Sequence, residues 1–232
     1  VTRLVFNRPQ VKNALDARCW ELLAQGLDEF AADPAARVLV LSGAGGDFSA
    51  GADLGGGITG SADAVAAKMR EIAGIVLRLH EMPKPTVAAV DGVAIGVSMS
   101  LALGCDLVIA SDRARFGAVF AKVGLTPDGG LSWLLPRLVG PHRAKELTLL
   151  ARLVDAAEAE RIGLVNRVVP ADDLAAATEQ WCALLADRTP ECARGTLALL
   201  DDAWSTTLAE ALENEAATQQ VAVTALRGQD SQ

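Results

Sequence analysis

Two glycine-rich turns, each set just after an apolar strand, hold the residues of this 232-residue chain best placed for chemistry. The first follows Val38-Leu39-Val40-Leu41-Ser42-Gly43 and reads Phe48-Ser49-Ala50-Gly51-Ala52-Asp53-Leu54. The second reads Asp91-Gly92-Val93-Ala94-Ile95-Gly96-Val97-Ser98 after the apolar run Val87–Val90. Small residues at a strand exit let backbone N–H groups approach a ligand with no side chain in the way. Two such turns converging on one point can hold a thioester oxygen as negative charge develops on it, which is an oxyanion hole.

Conventional catalytic equipment is sparse. The Gly43-Ala44-Gly45 turn follows a strand as a dinucleotide fingerprint would, but Phe48 stands at the third glycine position. No GxxxxGK[ST] or GxSxG sequence occurs, and the two histidines, His80 and His142, read as helix-terminus residues. Cys19, Cys105, Cys182 and Cys192 lack zinc-type spacing, so a metal site is not expected. Asp53 reads first as a turn or cap residue. Asp128 lies in Gly124-Leu125-Thr126-Pro127-Asp128-Gly129-Gly130, before an apolar helix with Trp133, Leu134 and Leu135. It has two readings: a helix N-cap, which the local sequence favours, or a carboxylate in an apolar pocket whose desolvation makes it a better proton shuttle.

The elements that must position these residues alternate strand and helix in the amino-terminal half. Strands are expected at Thr2–Phe6, Arg37–Leu41, Thr86–Val90 and Leu107–Ala110, and helices at Leu15–Ala31, Ala62–His80 and Ile95–Leu103. Apolar strands in repeated βα units imply a sheet buried on both faces. Beyond Phe116 helices dominate: Gly130–Arg137, Arg143–Leu150, Ala156–Arg161, Asp172–Asp187, Pro190–Ala203 and Leu208–Leu226, interrupted by a strand at Asn166–Val169. Composition narrows the partners. Hydrophobic residues make up 51% of the chain and the net charge is −8, which argues against a nucleic-acid surface. Asp91 and Asp106 with three glycines break the apolar region 86–110, so no membrane span is expected. Free thiols and the lack of a visible signal peptide lead to the expectation of a cytoplasmic protein.

Taken together, these segments resemble the crotonase superfamily, the enoyl-CoA hydratase/isomerase family. The likeness spans nearly the whole chain. It runs from Asn7-Arg8-Pro9 and Asn13-Ala14-Leu15 through Phe48–Leu54 and Asp91–Ser98. It continues over Cys105–Ser111, Leu135-Pro136-Arg137-Leu138-Val139-Gly140 and Gly163-Leu164-Val165-Asn166. The resemblance implies an α/β fold: a spiral of ββα units over residues 1–170, then a helical carboxyl-terminal trimerisation region over 171–232. It implies an acyl-CoA thioester substrate, with coenzyme A carried by the substrate and no separate cofactor, and assembly as a homotrimer or dimer of trimers.

The residue roles implied are specific. The oxyanion hole falls on the N–H groups of Ala52 and Val97, the latter where many relatives carry glycine. Coenzyme A is expected along Lys12–Ala14 and Ala50–Leu54, with Lys12 near phosphate and Asp53 and Leu54 lining the path beside Gly96. Hydratases of the family place glutamates at positions that align with Ser100 and Phe120, and neither residue here can do that chemistry. The acid that remains is Asp128, at a position used by isomerases, and the stretch Phe120–Gly140 is similar to ring-epoxide isomerases of phenylacetate degradation. With the resemblance added, the catalytic reading of Asp128 overtakes the cap, and Phe120, Trp133 and Leu134 are expected to wall its cavity. The implied activity is enoyl-CoA isomerisation; an enoyl-CoA hydratase or a non-catalytic CoA-binding protein are the alternatives.

Overall fold

In the computed structural model, residues 1–55 and 60–229 are described. A five-stranded parallel sheet forms the spine, in the order β1 (Thr2–Phe6), β2 (Leu39–Gly43), β3 (Thr86–Val90), β5 (Leu107–Ser111), β8 (Arg167–Val169). A second sheet pairs β4 (Val93–Ile95) in parallel with β6 (Arg115–Gly117), and β6 antiparallel with β7 (Leu153–Asp155). The chain thus visits one sheet and then the other: β3 to β4 before helix α3 (Val97–Leu103), and β5 to β6 before the next helices. This is the ββα progression expected.

Strand alternation divides the core in two. Leu39, Leu41, Ala88, Val90, Val108 and Ala110 face one way, onto α1 (Ala17–Ala32), α2 (Ala62–His80) and α3. Val38, Val40, Val87, Ala89 and Ile109 face the other way, onto α7 (Leu174–Ala186) through Ala177 and Cys182. Side chains two apart share a face, so one apolar run serves both layers. Each buried Leu or Val in such a strand contributes about 1.5–3 kcal/mol.

The remaining helices are α4 (Leu131–Val139), α5 (Pro141–Leu149), α6 (Ala156–Arg161), α8 (Pro190–Asp202) and α9 (Leu208–Gln229). Helix α8 buries none of its residues, and α8 and α9 pack chiefly on each other. Leu200, Trp204, Leu208 and Leu212 stay exposed along this pair. Among the described residues no helix is long and apolar enough to cross a membrane.

Of the helix starts that differ from the sequence expectation, two shape the site. Helix α1 begins at Ala17 rather than Leu15, because the Asp16 carboxylate accepts from the Cys19 N–H at 2.8 Å and caps it. Leu15 is thereby left extended, in a parallel bridge with Ala52. Helix α3 begins at Val97 rather than Ile95, because Gly96 turns at φ +59, ψ −130, a conformation open to glycine alone. The short strands β4, β6 and β7 have no counterpart in the sequence reading.

Asn13 ties the segment 8–13 to the residues 44–47 that lead into the first turn. It is 1% exposed with φ +56. Its Oδ1 accepts from the Arg8 N–H at 2.8 Å, while its Nδ2 donates to the carbonyls of Ala44 at 2.8 Å and Asp47 at 2.6 Å. Asn13→Ala removes three side-chain hydrogen bonds and replaces asparagine, which tolerates positive φ, with a residue that does so less readily. Denaturant titration is expected to show a loss of about 2–3 kcal/mol.

Candidate active site

The first turn is an extended segment bonded along both edges. Toward β4, the N–H of Phe48 donates to Asp91 O at 2.7 Å, that of Ser49 to Val93 O at 2.8 Å, and Ile95 N–H to Ser49 O at 3.1 Å. Toward the Lys12–Leu15 segment, Ala50 N–H donates to Lys12 O at 2.8 Å, Leu15 N–H to Gly51 O at 2.8 Å, and Asp53 N–H to Leu15 O at 3.0 Å. The bridge to Leu15 therefore uses the groups flanking Ala52 and leaves the Ala52 N–H out. Among the described residues it has no acceptor.

The Val97 N–H is in the same condition for a different reason. Val97 is the first residue of α3, where a helix has no carbonyl to offer its own leading N–H groups. The two turns are in contact: a β-carbon on Gly51 (φ +93) would lie 2.5 Å from Ile95 O and 3.9 Å from the Gly96 Cα. Ser98 locks them, its hydroxyl accepting from Ile95 N–H at 2.8 Å and donating to Ser49 O at 2.6 Å. Ser98 is fully buried. Two unpaired backbone donors thus flank the contact between Gly51 and Gly96, with the Phe120 ring 3.9 Å from where a Gly96 β-carbon would sit.

Asp128 does not cap a helix. The N-cap of α4 is Gly130, without any side-chain bond, and Leu131 N–H donates to the Asp128 main-chain carbonyl at 3.1 Å. The Asp128 Oδ1 is instead buried with no hydrogen-bond partner, alone in this among the described side chains. Burial, with no charged neighbour contributing, pushes its carboxyl up to about 6. The turn that carries it leans on α3: a β-carbon on Gly129 (φ +58) would lie 2.9 Å from both Ser100 Cβ and Val97 Cγ2.

The other expected residues divide. Lys12, Ala14, Ala50, Asp53 and Leu54 form one patch around the first turn, with Lys12 and Leu54 largely exposed. Lys12 Nζ lies 3.5 Å from Asp47, and the Ala14 carbonyl accepts from Arg8 at 2.6 Å. Asp53 is engaged in the turn itself: it binds Arg8 at 2.8 Å and accepts from Gly55 N–H at 3.1 Å, which holds its carboxyl below the usual range. The Trp133 ring lies 3.9 Å from the Arg137 guanidinium and meets His80 of α2 edge-on at 5.3 Å. Trp133 and Leu134 line a cavity of about 730 Å³ with Val76, Leu77, His80 and Gly130. Gly130, next to the Asp128 turn, is part of its wall.

The whole described chain is accounted for by one family: residues 1–229 match that of enoyl-CoA hydratase/isomerase. The chain belongs to the enoyl-CoA hydratase/isomerase family. Its α/β architecture is accordingly the crotonase fold. It is 36% identical over 211 residues to a probable enoyl-CoA hydratase of Mycobacterium tuberculosis, covering 90% of this chain and 80% of the relative. It is 39% identical over 190 residues to the 1,2-epoxyphenylacetyl-CoA isomerase of Escherichia coli, covering 80% and 72%. A putative enoyl-CoA hydratase from Thermobifida fusca, solved in complex with CoA, superposes with TM-score 0.87 at 36% identity, covering 97% of this chain and 90% of that one. An enoyl-CoA hydratase from Bacillus anthracis gives TM-score 0.91 at 29% identity, over 96% and 86%.

Sequence reasoning passed over Ser98, Ser100 and Arg8 as site-builders. A buried serine in an apolar helix of this family member carries no local pattern that distinguishes a clamp from filler. Asp128 yields a sharp expectation. The raised carboxyl must stay protonated, or ionise unpaired, where the unfolded chain ionises freely, so its cost to stability grows as pH rises from about 4 and is complete above about 6. Asp128→Asn should therefore raise the melting temperature most at pH 8 and least near pH 3.5, and measurements at those two pH values check this.

Proposed function

We propose that this protein binds an acyl-CoA thioester, stabilises its enolate with the N–H groups of Ala52 and Val97, and moves a double bond or isomerises a ring by proton transfer through Asp128. The observation that carries the reading is the Asp128 Oδ1, buried, unpaired and unused by any helix cap. A carboxyl near 6 is ionised enough at neutral pH to take a proton and acidic enough to return it.

The chemistry balances without water. The Asp128 carboxylate removes a proton from a carbon adjacent to the unsaturation, and the electron pair moves toward the thioester oxygen. The two backbone donors hold that charge without reorganising, since both are fixed by neighbouring ladder bonds. Protonated Asp128 then delivers the same proton to another carbon, the double bond re-forms at its new place, and the carboxylate is regenerated. Phe120, 6% exposed beside Gly96, keeps competing water out. Lys12 stands at the exposed edge of the Ala14–Ala50 patch, positioned for a phosphate of coenzyme A.

Hydratase-named relatives are as prominent as the isomerase, so water addition is the second reading. Against it, a hydratase needs two carboxylates, and here Ser100 donates its hydroxyl to the Asp128 carbonyl while Phe120 offers a ring. Incubation with 2-enoyl-, 3-enoyl- and aromatic-ring CoA thioesters separates the readings. Isomerised product without a hydroxyacyl product supports the proposal; hydration refutes it, and inactivity across the panel favours a non-catalytic CoA-binding protein. Asp128→Asn should lower the isomerisation rate by about 100-fold or more and leave CoA-thioester affinity nearly unchanged. The wild-type rate should rise with pH through about 6, as Asp128 ionises.

The same proposal includes assembly. Helices α8 and α9 and the turn between them expose Leu200, Trp204, Leu208 and Leu212, at 65%, 69%, 77% and 54%. Burial of that surface between subunits as a trimer or dimer of trimers is expected. Light scattering at micromolar concentration should give three or six times the monomer mass, and a stable monomer would count against it.

A further inference from the structure

We propose that Ser100 is a positioning residue for Asp128: its hydroxyl and its small side chain together seat the Asp128–Gly130 turn on helix α3. The inference rests on the reading of Asp128 as the proton-transfer group, and adds to it the part that aims that group. Two observations carry it. The Ser100 Oγ donates to the main-chain carbonyl of Asp128 at 3.0 Å. Independently, a β-carbon on Gly129 would lie 2.9 Å from Ser100 Cβ and 3.2 Å from its Oγ, so the turn closes directly upon this side chain.

Ser100 is fully buried, and its backbone is fixed by bonds of its N–H to Gly96 O at 3.3 Å and its carbonyl to Gly104 N–H at 2.8 Å. It therefore has little freedom of its own and offers a rigid anchor. The same turn touches Val97 Cγ2, and Val97 bears one of the two unpaired N–H groups. Seating the turn on Ser100 thus sets where the carboxyl stands relative to the oxygen-binding donors. A longer side chain at this position would push the turn away, since Gly129 already lacks room for a methyl group. The position that bears an acid in two-carboxylate relatives here serves the acid on the neighbouring turn.

Ser100→Ala removes the hydroxyl bond and keeps the helix and its packing. The expected result is a fall in kcat of about 10-fold or more with KM for the CoA thioester within about twofold, because binding contacts are untouched while the proton path is misaligned. The acidic limb of the pH–rate profile should move below 6, as the loosened turn admits water to the carboxyl. Gly129→Ala, which unseats the turn from the other side, should give the same pair of changes. Carbon-13 NMR titration of the Asp128 carboxyl in wild type and Ser100→Ala reads the displacement without turnover. A lowered midpoint in the variant supports the proposal even where no CoA thioester in the panel is converted, a result that would defeat the isomerase reading alone. A folded Ser100→Ala with unchanged titration midpoint overturns it. So does a rate that falls only in step with melting temperature while the pH profile stays in place.

Discussion

The hydrogen-bond ladder on both edges of residues 48–53 is the constraint on which the rest of this site depends. Ser49 joins the segment to β4 through its N–H and carbonyl, while Ala50, Gly51 and Asp53 join it to Lys12–Leu15. A backbone bonded on both edges has few conformations, and the one remaining unpaired N–H, that of Ala52, points where the ladder dictates. The buried hydroxyl of Ser98 extends the same constraint to the second turn, tying the start of α3 to the first turn. Preorganised donors of this kind are the least costly way to stabilise charge that forms only during reaction.

The single acid follows a complementary logic. A second carboxylate close by would repel the first and split their ionisation. With Ser100 and Phe120 at the alternative positions, burial alone sets the Asp128 ionisation, and no cation neutralises it. Among the described side chains, Asp128 Oδ1 alone is a buried polar atom without a partner, against the general rule that such groups find one. Under the proposed function, a transferred proton takes the place of a fixed donor there.

Much of this was legible from residue order. The apolar strands, the glycine turns and the helical carboxyl-terminal third all follow from periodicity, and the ordered motifs identify the family. What escaped lies in tertiary contacts. Three-residue strands such as β4 and β6 are too short to show alternation and exist because each pairs with the other. On local sequence alone Asp128 reads as a cap, because Asp before a helix usually is one, and only the family resemblance favours the catalytic reading; the positive φ of Gly129 and Gly130 carries the cap position onward to Gly130 and leaves the carboxylate behind. Trp133 follows the apolar stripe of α4, yet its ring is drawn to Arg137 and His80, a contact no linear pattern encodes. Asn13 required a left-handed backbone at a non-glycine residue, which sequence seldom announces.

The direct probe of the proposed oxyanion hole is the carbonyl itself. An acyl-CoA thioester labelled with carbon-13 at the carbonyl, and saturated so that it cannot isomerise, can be bound to the protein and its stretching band recorded by difference infrared spectroscopy. Two backbone N–H groups from Ala52 and Val97 should draw electron density to the oxygen and shift the bound band to lower frequency than in water. A saturated complex whose carbonyl band lies at or above its position in water would contradict the assignment of those two donors.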